Sequence, residues 1–63
     1  MKYLEAMVLL TNGFKVTNID FAQPFHWYFK KGKVYNANRK QLPWDKVLSL
    51  GNVYKKGWLI YDD

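Results

Sequence analysis

The chain predicts an α+β domain: a small antiparallel sheet with an N-terminal helix and a short second helix packed on one face. Three observations lead there. Apolar residues near a helical period open the chain, alternating segments joined by a glycine turn fill its middle, and a Pro-led apolar segment precedes a last strand. Helices gathered beside hairpin-linked strands are the layer pattern of that class. At 63 residues the chain makes one domain, residues 1–63.

The first helix is expected over residues Lys2 to Asn12, with Tyr3, Leu4, Met7, Val8 and Leu10 close to an i, i+3, i+4, i+7 stripe. Gly13 suits its C-terminal cap, where a left-handed residue without a Cβ carries no steric cost. Phe14 to Ile19 alternates as a strand with Phe14, Val16 and Asn18 on one side, and Gln23-Pro24 ends it. Phe25-His26-Trp27-Tyr28-Phe29 forms the next strand, and Lys31-Gly32 makes a two-residue hairpin loop into Lys33-Val34-Tyr35-Asn36. Residues 36–40 are polar and turn-like. Pro43 starts a second helix carrying Trp44, Val47, Leu48 and Leu50, which Gly51-Asn52 ends; Val53 to Tyr61 is the final strand.

Three Trp, five Tyr and four Phe are more aromatic side chains than so small a core needs. Successive strand residues point to opposite faces, so Phe25, Trp27 and Phe29 line one face and His26, Tyr28 and Lys30 the other. Only one face of a small antiparallel sheet is its own core. The surplus rings therefore meet a subunit, a planar ligand or a nucleobase, or else lie exposed as an aggregation hazard. Trp44 and Trp58 read as core, and Trp27 as a residue of the binding surface. On that division Trp27→Ala removes ligand affinity, and Trp44→Ala mainly lowers the melting temperature.

Ten Lys and Arg against five Asp and Glu leave a net charge of +5, which either favours anionic partners or serves only to keep an aromatic-rich domain soluble. A domain this short has a large surface for its core, and with no cysteine and no ligands for structural zinc it has no covalent or metal staple. Self-association as a dimer or tetramer is the remaining common supplement. No apolar stretch approaches the roughly 20 residues of a membrane span and no signal peptide is recognisable, so a soluble, intracellular protein is expected.

Catalysis finds no support in the residue types. His26 is the only histidine and stands among aromatics, Ser49 is the only serine and has no His near it, and the carboxylates are scattered. A nucleophile or general base needs an oriented partner, and a metal needs clustered ligands. The chain is expected to bind without reaction or cofactor.

The parts Glu5-Ala6, Leu10 and Gly13, then Lys15-Val16, Gly32-Lys33-Val34-Tyr35, Val47-Leu48 and Trp58-Leu59-Ile60-Tyr61-Asp62 span nearly the whole chain. In that order it resembles the second family of Thoeris anti-defence sponges, short phage proteins. The resemblance implies a homo-oligomeric α+β protein that sequesters a cyclic nucleotide or cyclic ADP-ribose-type immune signal in the cytoplasm of the infected bacterium, without cleaving it. Asn18 and Phe21 stand where the family pattern has an Arg and a Trp, and Gly57 where it has an acidic residue.

Such a ligand needs stacking for its base, cations for its phosphates and amides for its sugar hydroxyls. Phe21, Trp27 and Tyr28, with His26 beside them, can supply the first; Lys31, Lys33 and Arg39 the second; Asn18, Asn36 and Asn38 the third. A nanomolar sponge needs about −12 kcal/mol, which at roughly −0.3 kcal/mol per heavy atom asks for a ligand of about 40 atoms, the size of a dinucleotide. Two other classes use the same residues. A small inhibitor capping a host defence protein would use the Trp, Tyr and Arg as interface anchors. A single-stranded nucleic-acid binder would stack bases on the aromatic strands, with affinity falling steeply in salt.

Overall fold

The computed structural model describes residues 1–22 and 25–62. Its organising feature is the hairpin. Lys31 and Gly32 both adopt positive φ, 52° and 78°, the two-residue geometry whose twist matches that of the flanking strands. This turn sets Lys30 opposite Lys33, Phe29 opposite Val34, Tyr28 opposite Tyr35 and Trp27 opposite Asn36.

Around it the chain runs α1 (Tyr3–Thr11), β1 (Val16–Asn18), β2 (Trp27–Lys30), β3 (Lys33–Asn36), β4 (Gln41–Leu42), α2 (Trp44–Val53) and β5 (Trp58–Ile60). The five strands form one antiparallel sheet in the order β4-β3-β2-β1-β5. Both helices pack on the face that carries Val16, Trp27, Val34 and Trp58. The α+β class and the helices on one face are as the sequence predicts.

The core joins these four residues to Ala6 and Leu10 of α1 and Val47 of α2. Two of the packed aromatic rings have their polar tips satisfied: the Trp58 indole N–H donates to the Tyr54 carbonyl at 2.7 Å, and the Tyr3 hydroxyl donates to the Val47 carbonyl at 2.9 Å. The second bond ties α1 to α2. Met1 is tied to the start of β5 as well, Met1 and Trp58 exchanging backbone hydrogen bonds of 2.9 and 3.0 Å.

Several elements differ from expectation. Leu4 and Val8 face solvent, 76% and 61% exposed, while Ala6 and Leu10 are fully buried and Tyr3, Met7 and Leu9 pack beside them. Apolar residues surround much of α1, so spacing leaves the inward face open; small Ala6 lets the helix sit close to the sheet. The helix ends as expected. Gly13, at φ 97°, sends its N–H to Leu10 and the Phe14 N–H returns to Leu9, the paired bonds of a Schellman cap. That cap takes Phe14 out of the strand, which starts at Val16 and leaves Phe14 half exposed.

The expected break at Gln23-Pro24 lies outside the described residues. Pro43 caps α2 from just outside, and the helix passes through Gly51-Asn52 rather than ending there. Gly51 is buried against the Tyr3 ring, so its missing side chain serves helix packing and not helix termination. β5 is three residues long, and β4, which sequence reading left unassigned, pairs Leu42 with Val34.

Candidate functional site

Two surfaces concentrate the residues singled out from the sequence. The first is a cleft of about 480 Å³ on the helix side of the sheet, a volume within the roughly 300–1,000 Å³ of small-molecule sites. The segment after β1 supplies Asp20, Phe21 and Ala22, and Phe25 follows before β2. Helix α2 contributes Lys46 and Leu50, with Tyr54 just beyond it, a four-residue spacing that keeps all three on one side. Trp27, Asn36 and Leu42 complete the lining.

Phe21 is the centre of the aromatic wall. Its ring meets Phe25, Tyr54 and Trp58 edge to face, with centroids 5.6, 5.1 and 5.5 Å away, and lies tilted to Trp27 at 5.9 Å. Edge-to-face pairs hold rings in defined orientations at about 0.5–1.5 kcal/mol each. The wall is therefore rigid and apolar. The exposed Lys46 adds a cation to it, Asp20 a carboxylate and Asn36 an amide, so the lining carries one charge of each sign.

Trp27 is a core residue with 1% of its surface exposed, so it forms part of the cleft floor and is no free stacking platform. Asn18 is fully buried and its amide is used within the fold: Nδ2 donates to the Lys56 carbonyl at 3.1 Å and Oδ1 accepts the Asp20 N–H at 3.0 Å. Its role is to brace the turn after β1 and the approach to β5, not to meet a ligand. Gly57, beside it, has φ 88°, a conformation that an acidic side chain adopts only with strain. Asn36 Oδ1 accepts the N–H groups of Asn38 and Lys40, at 2.9 and 3.1 Å, and so shapes the β3–β4 turn while lining the cleft. Asn38 and Arg39 lie exposed on that turn, and Lys31 at the hairpin tip; none of them lines the cleft.

The second surface is the face of the sheet without helices. Strand alternation places Tyr28, Lys30, Lys33, Tyr35, Gln41 and Leu59 there. Tyr28 stacks on Tyr35, with centroids 5.4 Å apart and planes 17° apart. His26 stacks on Tyr61 at 4.1 Å and 14°. His26 is thus a stacking partner within the fold.

Phe25, Tyr35, Lys46, Tyr54 and Tyr61 join these surfaces without having been picked out from the sequence. Tyr35 was within reach, because a two-residue loop at Lys31-Gly32 already sets it opposite Tyr28. Lys46 and Tyr54 were not, since they reach the cleft only through the docking of α2. A third recess, a groove of about 710 Å³ between α1 and α2, is lined by Tyr3, Leu4 and Leu48 with Lys2, Glu5 and Lys55.

Among the described residues no three His, Cys, Asp or Glu side chains gather to hold a metal ion, and no helix is long and apolar enough to cross a membrane. No family model matches this chain, and no curated protein or solved structure matches it significantly.

Proposed function

We propose that the protein is a stoichiometric binder that sequesters a nucleotide-type signalling molecule, of the cyclic dinucleotide or cyclic ADP-ribose class, without chemical change. The observation that carries this reading is the aromatic-walled cleft of about 480 Å³ with Lys46 and Asn36 in its lining. A base is held there by apolar ring contact with Phe21, Phe25 and Tyr54, and a phosphate is attracted by the Lys46 ammonium. The net charge of +5 favours such an anion at longer range. On the resemblance of its sequence to the sponge family, the proposed site of action is the cytoplasm of a phage-infected bacterium. Self-association uses the apolar groove between the helices, where Glu5 of one copy can face Lys2 or Lys55 of another.

A thermal-shift panel of cyclic di- and trinucleotides and cyclic ADP-ribose isomers, with AMP as the single-base comparison, tests the reading. Ligand at about a hundred times its Kd stabilises by roughly 2.7 kcal/mol, many degrees in a domain of this size. Lys46→Ala and Phe21→Ala are expected to remove the shift, and the ligand released on denaturation should be intact. No shift with any member of the panel, or recovery of a cleaved ligand, overturns the proposal.

A further inference from the structure

We propose that the helix-free face of the sheet is a second, independent binding surface, and that its occupant is single-stranded nucleic acid. The argument rests on Tyr28 and Tyr35, and on Lys30, Lys31 and Lys33. Tyr28 and Tyr35 are directly opposed on adjacent strands and stack nearly parallel, and both remain partly exposed. An unpaired base can extend this pile because every base has a π face, which makes such stacking tolerant of sequence.

One row toward the hairpin, two residues or about 6.8 Å along the strands, Lys30 stands directly opposite Lys33. Like charges in that position destabilise a strand pair. Lys31 at the tip adds a third cation, and no carboxylate answers any of the three among the described residues. The strand positions of this face, Thr17, Tyr28, Lys30, Lys33, Tyr35, Gln41 and Leu59, include no acid. A row of rings beside a row of uncompensated cations matches a chain in which bases and phosphates lie side by side. A second copy of the same basic face would instead be repelled.

The test is fluorescence anisotropy with labelled oligothymidylate and oligouridylate, titrated at about 50 and 200 mM salt. The unmodified protein is expected to bind both, with affinity falling steeply as salt rises. Tyr28→Ala with Tyr35→Ala should weaken binding by about tenfold or more while leaving the salt slope unchanged. Lys30→Glu replaces a like-charge pair by an opposite-charge one, so it should raise Tm while weakening binding and flattening the salt slope. That combination is not a folding defect. Lys46→Ala, in the cleft, should leave oligonucleotide binding unaltered, which separates failure of this proposal from failure of the cleft reading. Three results would each overturn the proposal: no salt-dependent binding, binding by the tyrosine variant equal to that of the unmodified protein, or conversion of an oligomer to monomer by that variant with no oligonucleotide bound.

Discussion

Gly51→Ala sets two physical effects of opposite sign against each other. Gly51 lies inside α2, and in a helix interior Ala is favoured over Gly by about 1 kcal/mol. Judged by helix propensity, the change stabilises. The packing says otherwise. A Cβ at position 51 would lie 2.7 Å from Tyr3 Cδ2 and closer still to Cε2 and Cζ, which places it inside the ring's van der Waals surface. Because the added methyl is fixed to the helix backbone, the Tyr3 ring must move or α1 must lift.

Moving the ring breaks the 2.9 Å hydrogen bond to the Val47 carbonyl, worth about 0.5–1.5 kcal/mol. It also disturbs the contact with Trp58, whose ring centroid is 5.8 Å away. Overpacking by one methyl group costs about 1–3 kcal/mol. After the helix-propensity gain, the net loss is about 2 kcal/mol, and at about 4–8 °C per kcal/mol the midpoint should fall by roughly 8–16 °C. Thermal denaturation followed by circular dichroism measures it. In a Tyr3→Ala background the clash is gone, so Gly51→Ala should there raise stability by about 1 kcal/mol, giving a large coupling energy. A rise in Tm in the unmodified protein, or equal losses in both backgrounds, would refute the packing argument.

Two further predictions concern the same core. Burial holds the Tyr3 hydroxyl above its ordinary value of 10.0, so the neutral form is favoured in the folded state. The stability this represents is present below about pH 10 and lost as pH rises through the folded value. Midpoints measured between pH 8 and 12 should therefore fall less steeply for Tyr3→Phe than for the unmodified protein. The order of stability cost first expected of two tryptophans is reversed: buried Trp27→Ala should cost about 3–5 kcal/mol and abolish most of the cooperative transition. Trp44, 46% exposed and meeting Phe29 at 6.3 Å, should cost about 1 kcal/mol, read from urea midpoints at constant slope.

Local chemistry made much of the fold legible. Lys31-Gly32 suggested its hairpin because a polar pair ending in Gly between two alternating segments suits a turn that needs positive φ, and the structure shows that turn with Tyr28, Phe29 and Lys30 paired across it. Gly13 marked the end of α1 for the same stereochemical reason. The candidate site was less legible: of its anticipated residues, Phe21, Trp27 and Asn36 meet in the cleft, Tyr28 and Lys33 belong to the helix-free face, and His26 stacks on Tyr61. Asn18 is buried in support of a turn, and Lys31, Asn38 and Arg39 stay exposed at loop tips. Residue type shows what a side chain can do but not whether a neighbour already occupies it.

By itself the sequence determined the α+β class, the hairpin loop and the helix-starting place of Pro43, because each depends on backbone stereochemistry or periodic alternation within a few residues. Only the tertiary structure decided which face of α1 turns inward, that Gly51 continues a helix against Tyr3, that Trp27 is core, and that Lys46 and Tyr54 reach Phe21. Those outcomes depend on which surfaces remain to be covered once the elements dock, a competition among residues distant in the chain.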